Sequence, residues 1–395
     1  MFNNIIKYID YRQIIIITGL RRVGKTTSIF QIIDYLLNKN IDPKRILYLS
    51  FDEYKDIELY ELLDIYTKIT NIDWRKEKIY IFLDEIQKLK DWSSKIKFIY
   101  DNFTNIKIFL SGSSSLLIEK NAIENLAGRY FIFELPVLNI KEYYELKNNK
   151  ILENYNLEKR NLELEFNNYL YKPFPEIVNF NIEDSRQYIK EIIISKIIKG
   201  DILDIFGNID INNLEKLLYL FLSKPGMILN LDNLSGDLNM SKKTLEKYIK
   251  ILEFSKLIKI LKNFRPSTLS SSRKLRKVYP YDVSLSLSLF NVDESISFET
   301  KIINYLDCQY YWRKNNKEID CILLKENNII PIEIKYKNNI KDNDIKNLKY
   351  FLNKYNIKND YVIYLGESTK IDNINLVNYL DLLYYGLEGI FGYHL

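Results

Sequence analysis

Ile14-Ile15-Ile16-Ile17-Thr18-Gly19-Leu20-Arg21-Arg22-Val23-Gly24-Lys25-Thr26-Thr27 is the stretch on which the fold turns. Four β-branched residues in a row are too few for a helix, and Ile14–Ile17 reads as a central parallel strand buried on both faces. Apolar residues at helical spacing run from Ile29 to Leu37. Between strand and helix stands GxxxxGK[ST], whose glycines let backbone N–H groups curl round phosphates at a helix N-terminus. Gly19, Leu20, Arg21, Arg22, Val23, Gly24, Lys25, Thr26 and Thr27 are therefore the expected nucleotide loop. Lys25 would reach the β and γ phosphates and the Thr26 hydroxyl would ligate Mg²⁺, which makes ATP with Mg²⁺ the expected ligand.

Further strands follow at α/β spacing. Arg45–Phe51 is one, and Lys78–Leu83 is another that ends in Asp84-Glu85. Carboxylates closing an apolar strand fit a Walker B role, with Asp84 in the Mg²⁺ shell and Glu85 polarising the attacking water. Ile106–Leu110 leads to Ser111-Gly112-Ser113-Ser114-Ser115. Ser111 and Ser113 are candidates for sensing the γ-phosphate, and a plain Ser-rich turn is the other reading of each. A fifth strand lies within Leu126–Glu134. Arg129 at its start fits an arginine finger or sensor, reaching a neighbouring copy's site in a homo-oligomer, or else a solvated or paired side chain.

Composition narrows the chemistry. The 395 residues carry a net charge of +5, compatible with nucleic acid without demanding it. The 32 Tyr and 20 Phe beside only 12 Gly and 8 Pro are what an AT-rich coding sequence produces. The one histidine is His394, which argues against His-based triads and most zinc hydrolases. Two cysteines, Cys308 and Cys321, exclude a disulfide scaffold and a Cys-based zinc site. Carboxylates, Lys, Arg and hydroxyls remain, most naturally with Mg²⁺. No stretch approaches the roughly 18 apolar residues of a membrane helix, and the N-terminus lacks an export pattern, so a cytoplasmic protein without membrane partner is expected.

Between Ile211 and Phe264 three short helices are expected. Ser241 is a natural N-cap for the last, and strand-like Leu257–Leu261 follows. This order reads as a winged helix-turn-helix. Lys242, Lys243 and Lys247 would meet DNA phosphates, with Arg265, Arg273, Lys274, Arg276 and Lys277 loading the wing. The other reading is solvated charge on a module serving assembly contacts.

From Ser297 onward the expected order is helix, three strands (Gln309–Trp312, Ile319–Leu324, Ile329–Ile334), a helix from about Asp342 to Asn353, and a strand Tyr361–Leu365. Glu333 and Lys335 are two apart on one strand and share a face, and Asp320 on the hairpin partner can meet Glu333 across the pair. Two carboxylates beside a Lys make a Mg²⁺ site with a cation near the scissile phosphate, and Glu299 on the preceding helix adds a further carboxylate.

The motifs Gly19–Thr26, Asp84–Gln87 and Leu126–Arg129 resemble the G-x-R-R-x-G-K-T, D-E-I-Q and L-x-G-R segments of an archaeal and bacterial family of AAA-type P-loop ATPases. Where that family has Gly-Gly before Phe-Pro-Glu, this chain has Lys172-Pro173-Phe174-Pro175-Glu176, a departure that touches the lid. Asp320, Glu333 and Lys335 resemble the D…ExK signature of restriction-endonuclease-like (PD-(D/E)xK) domains. The resemblance covers nearly the whole chain. It implies an α/β architecture: a P-loop NTPase core over 1–136, a helical lid over 137–208, a winged helix-turn-helix and wing over 209–282, and an α/β restriction-endonuclease-like domain over 283–395. Two functional readings follow. One is an ATPase whose nucleotide state controls a Mg²⁺-dependent DNA nuclease. The other is a nucleotide switch whose C-terminal domain only binds DNA or protein.

Overall fold

The computed structural model describes residues 2–52, 58–112, 125–207, 209–265, 272–325, 328–371 and 374–391. Contacts divide the chain into two compact units, 1–137 and 138–395.

The first unit is built round β1 (Ile14–Thr18), which is buried throughout. It pairs in parallel with β4 (Ile106–Ser111) on one side and β5 (Tyr130–Glu134) on the other. With β2 (Ile46–Ser50) and β3 (Ile79–Asp84) the parallel sheet has the order β2-β3-β4-β1-β5. The isoleucine run is unbroken because both faces are covered. Ile14 and Ile16 pack with the helices Leu59–Thr70 and Trp92–Asn102, while Ile15 and Ile17 pack with Ile29, Ile32 and Leu36 of the helix Lys25–Asn38. A buried lysine fastens the N-terminal segment: Lys107 Nζ donates to the carbonyls of Tyr8, Tyr11 and Gln13 at 2.6–2.9 Å. These bonds replace the solvation that burial removes. Because every strand is parallel, Thr18, Ser50, Asp84 and Ser111 end at one edge of the sheet.

The second unit contains a nine-stranded sheet of order β13-β14-β12-β11-β10-β9-β7-β8-β6. In chain order these are β6 (Met227–Ile228), β7 (Ile258–Asn263), β8 (Ser272–Pro280), β9 (Tyr310–Lys314), β10 (Lys317–Lys325), β11 (Asn328–Lys335), β12 (Tyr361–Tyr364), β13 (Thr369–Ile371) and β14 (Ile374–Asn378). Three helices, Ile211–Ser223, Leu231–Asp237 and Lys242–Phe254, accompany β6-β8-β7. The Ser241 hydroxyl caps the last, accepting from Thr244 N at 3.1 Å. Helices Glu294–Tyr305 and Asp342–Tyr355 cover the two faces of β9–β12.

The sheet runs across the division expected at 282, since β7 pairs in parallel with β9. Asn263, 2% exposed, extends that ladder through its side chain, donating to Arg313 O at 3.0 Å and accepting from Arg313 N at 2.9 Å. The division expected at 208 is likewise spanned by one core. Tyr143, Leu162, Phe166 and Tyr169 pack in the same cluster as Phe298, Ile302, Tyr311, Ile330 and Ile332. Cys308 and Cys321 form a disulfide in that core, a single bridge between the start of β9 and the middle of β10. Strands β13 and β14 and the helix Tyr379–Phe391 go beyond the elements read from the sequence. Among the described residues no helix is long and apolar enough to cross a membrane.

Asp360, which precedes β12, is 2% exposed, and among the described residues its Oδ2 finds no hydrogen-bond partner. Burial pushes its carboxyl up to about 7. The ordinary aspartate titrates near 3.9, so the folded chain holds a proton that the unfolded chain releases. Stability therefore falls as pH rises from about 4 to about 7, by roughly 2–4 kcal/mol at the upper end. Asp360→Asn is expected to raise the melting temperature at pH 8 and to flatten its dependence on pH. Equal melting temperatures for both proteins at pH 8 would contradict this.

Candidate functional sites

The first site lies at the C-terminal edge of the parallel sheet. Gly19 has φ 147°, and a Cβ there would run into the Leu135 carbonyl; Gly24 has φ 98°. These two positions need glycine for different reasons, one for space and both for a backbone that L side chains rarely adopt. Arg22 also takes a left-handed conformation, φ 64°. The helix Lys25–Asn38 begins immediately after Gly24. Lys25 is 6% exposed, and its Nζ donates to Leu20 O at 2.7 Å and Gly19 O at 3.2 Å. The ammonium is thus held inside the curl of its own loop.

Asp84 is the centre of the polar network, 3% exposed at the end of β3. Its Oδ2 accepts from Thr26 Oγ1 at 2.7 Å and from Tyr48 OH at 3.2 Å, and its Oδ1 accepts from the Ser111 hydroxyl and from Glu85 N at 3.0 Å. The strand order explains the meeting. β4 lies between β1 and β3, so Ser111 and Asp84 at their strand tips meet Thr26 in the first turn of the helix that follows β1. Glu85 follows in a left-handed conformation, φ 50°, with its carboxylate accepting from Gln87 Nε2. Positive φ in a non-glycine residue stores strain and is enriched at functional positions. A hydroxyl and a carboxylate at hydrogen-bond distance suit Mg²⁺, which takes one or two protein oxygens and keeps water and phosphate for the rest.

Ser113 lies outside the described residues. Arg129 is not brought to this cluster. It precedes β5 at the opposite edge of the sheet, where Ile14 N donates to its carbonyl, and its guanidinium forms a bidentate pair with Asp101 at 2.7 and 3.2 Å. Four strand residues, about 13 Å, separate that edge from Thr18. Arg129 therefore cannot serve its own chain's nucleotide loop, and a finger role is left only toward a second copy.

The second site assembles on β10, β11 and the helix Glu294–Tyr305. A β-bulge between Ile319 and Ile322 breaks the alternation of β10 against β9. Ile319 and Ile322, three apart, both pack toward the helix Asp342–Tyr355, whereas Cys321 and Leu323 pack toward the opposite core. The bulge sets the Asp320 carboxylate against β11, where Oδ2 accepts from Ile334 N at 2.8 Å. Lys335 Nζ donates to Glu333 Oε2 at 2.7 Å and lies 3.7 Å from Asp320 Oδ2. Glu299 on the helix accepts from Tyr279 OH at 2.6 Å. The structure thus brings together Glu299, Asp320, Glu333 and Lys335.

Burial and the neighbouring Asp320 hold the Glu333 carboxyl well above the ordinary range. Burial pushes Asp320 the same way, but Lys335 and Lys277 outweigh it and leave Asp320 below its usual value. Burial, then Asp320, raises Glu299. Burial opposes the charge on Lys335, and Asp320 and Glu333 overcome it, so this ammonium stays charged.

Three residues of this site were missed in the sequence. Lys277, read as a wing charge for DNA, is 6% exposed and pairs with Glu318, while Tyr279 is 1% exposed. The signal was present as Lys277-Val278-Tyr279 and Glu318-Ile319-Asp320, polar side chains two apart on strands β8 and β10 of the same sheet. Lys242, Lys243 and Lys247 are exposed on their helix, with Lys242 paired to Asp232. Arg276 lies 3.9 Å from Glu246, and the side chains of Arg273 and Lys274 are outside the described residues.

Among the described residues no three acidic, histidine or cysteine side chains form a metal-holding group. Asp320 and Glu333 are a pair, and a pair suits Mg²⁺ better than Ca²⁺, which takes six to eight oxygens. Carboxylates outnumber cations here: Glu299, Glu318, Asp320 and Glu333 gather round Lys277, Lys335 and Arg313, the last paired with Glu318 at 3.3 Å.

Residues 11–144 match the model of an AAA domain. Residues 165–296 and 298–382 match two domains of unknown function, DUF8612 and DUF4143. The uncharacterized protein MJ1637 of Methanocaldococcus jannaschii is 32% identical over 279 residues, covering 64% of this chain and 58% of that protein. The uncharacterized protein MJ1544 of the same organism is 27% identical over 91% of this chain and 80% of its own length. An uncharacterized protein of Haemophilus influenzae is 25% identical over 96% of both. The solved structure of the Walker-type ATPase PABY2304 of Pyrococcus abyssi is 12% identical with a TM-score of 0.46, over 73% of this chain and 94% of that one. The ORC2 protein of Aeropyrum pernix in its ADP form is 13% identical with a TM-score of 0.36, over 70% and 86%. With the loop, the strand order and the AAA match in register, the N-terminal unit is a P-loop ATPase domain of the AAA type.

Proposed function

We propose that the chain hydrolyses ATP at the first site and that its nucleotide state controls a Mg²⁺-dependent DNA nuclease-like centre at the second. At the first site the backbone of Gly19–Thr26 binds the phosphates, Lys25 neutralises charge on them, and Glu85 orients the attacking water. Thr26 and Asp84 would hold Mg²⁺, which when bound screens the charge on the β and γ phosphates.

The observation that carries the second half is the convergence of Asp320, Glu333 and Lys335 at one point of the sheet. Lys335 is placed to face a phosphodiester oxygen, and Asp320 and Glu333 would hold Mg²⁺, whose chemistry there is to polarise phosphate and lower the pKa of bound water. DNA is the proposed substrate. The three helices with β6-β8-β7 are read as a winged helix, and Lys243 and Lys247 on the exposed face of its last helix suit phosphates. The closed Lys335–Glu333 pair also favours a second reading, a nucleotide switch whose C-terminal region only binds DNA or protein.

One experiment separates the two. Single- and double-stranded DNA is incubated with Mg²⁺ or Mn²⁺, with and without ATP, beside Glu333→Ala. Cleavage lost by at least 10²-fold in the variant supports the nuclease. No cleavage, or cleavage untouched by the substitution, leaves the switch.

A further inference from the structure

Strand β8 lies outside the region that matches DUF4143, yet it forms one wall of the acidic site. Successive alternate residues of β8 reach it: Lys277 pairs with Glu318, and Tyr279 OH donates to Glu299 Oε1 at 2.6 Å. Both are almost fully buried, and Lys277 is held on another side as well. Lys277 lies 5.1 Å from the Tyr311 ring centroid, and the Tyr311 hydroxyl donates to Leu275 O at 2.6 Å, fixing strand and ring together. A buried ammonium and a buried phenol are costly to place, and the charged partner that offsets each is a carboxylate of this one cluster, Glu318 for Lys277 and Glu299 for Tyr279. The core of such a module would be cheaper with apolar residues at both positions.

We propose that Lys277 and Tyr279 are positioning residues of the acidic site, Tyr279 orienting Glu299 and Lys277 setting the charge balance through Glu318, so that divalent-cation binding depends on β8. The inference rests on the nuclease-like reading of Asp320, Glu333 and Lys335. Its consequence is a composite centre, one that the segment 298–382 does not complete by itself. Tyr279→Phe keeps the ring and removes the hydrogen bond donated to Glu299 at 2.6 Å, together with the longer one accepted from Lys277 Nζ at 3.5 Å. Lys277→Met keeps the length and removes the charge, taking four carboxylates against three cations (Lys277, Lys335 and Arg313) to four against two.

The test is Mn²⁺ binding by the full chain, followed by electron paramagnetic resonance in the absence of nucleotide. Binding that persists in Glu333→Ala is subtracted as belonging elsewhere. Tyr279→Phe is expected to weaken Mn²⁺ binding at least 5-fold. Lys277→Met is expected to tighten it about 3-fold or more while slowing DNA cleavage, and Lys277→Arg to restore both. Melting temperatures are recorded alongside. Variants that melt lower but bind Mn²⁺ as the parent does would overturn the proposal in favour of a structural role for β8, and so would a parent chain that binds no Mn²⁺ at Glu333. The expected Mn²⁺ shifts without cleavage by any protein would leave the positioning roles standing and remove the nuclease. Normal shifts in cleavage with unchanged Mn²⁺ affinity would do the reverse.

Discussion

Glu85→Gln is expected to lower ATP turnover by about 10²- to 10⁴-fold, the range that a positioned general base supplies, while ATP still binds. The substitution is isosteric. It leaves the left-handed backbone at residue 85 and the Glu85 N to Asp84 Oδ1 bond at 3.0 Å undisturbed. Only the carboxylate that would draw a proton from water is lost. Lys25→Ala acts differently. It removes the ammonium now held by the Gly19 and Leu20 carbonyls, so both ATP binding and turnover are expected to fall. Phosphate release measures turnover, and a fluorescent ATP analogue measures binding. The pair of outcomes is diagnostic: binding retained in one variant and lost in the other assigns the two residues to different steps. Parental turnover in either would sink the reading of this site.

The first site was legible because the chemistry proposed for it is local in sequence. A phosphate cradle needs its glycines, Lys25 and Thr26 within one turn of backbone, and Asp84 must close a strand. The strand order that brings Ser111 to Asp84 follows from parallel topology and needs no further signal. Arg129 was not legible in the same way. Its number along the chain says that it opens a strand, and only the direction of that strand puts it at the far edge from the loop Gly19–Thr26.

The second site was half legible. Glu333 and Lys335 declare themselves by a spacing of two on an apolar strand. Asp320 declares itself less clearly, because its aim depends on a bulge at Ile319–Ile322 that residue type does not announce. Lys277 was misread since a lysine beside Arg273, Lys274 and Arg276 looks like solvated charge. Its partner Glu318 is forty-one residues away, and nothing local records the pairing. The same holds for Asn263, whose side chain joins β7 to β9 and so merges two regions that sequence patterning separates.

Lys301→Met is expected to cost the second unit about 3–5 kcal/mol, and to lower its melting temperature by roughly 10 °C, because it strands a buried charge. Lys301 and Asp282 are 3% and 2% exposed, with Nζ and Oδ2 3.1 Å apart. The ammonium also lies 4.2 Å from the Tyr169 ring centroid. Burial opposes its charge, and Asp282, with Tyr169, more than compensates, so Lys301 stays charged across the physiological range. Asp282 has a second duty, since its Oδ1 accepts from Ser284 N at 3.0 Å at the start of the helix Val283–Leu289. The matched partner change is therefore Asp282→Asn, which keeps a capping oxygen and removes the charge. The double variant is expected to lose less than the two single losses add up to, with a coupling of about 2 kcal/mol in the cycle. Thermal and urea unfolding measure it, and strictly additive losses would show that the charges do not compensate each other. The position of the pair gives it a bearing on the acidic site: Asp282 lies three residues after Tyr279, and Lys301 two residues after Glu299. The ion pair thus clamps the end of β8 to the helix that carries Glu299, about half a helical turn from the Tyr279–Glu299 hydrogen bond. If that clamp is what holds the bond, Lys301→Met should weaken Mn²⁺ binding in the same direction as Tyr279→Phe at temperatures where the variant is still fully folded.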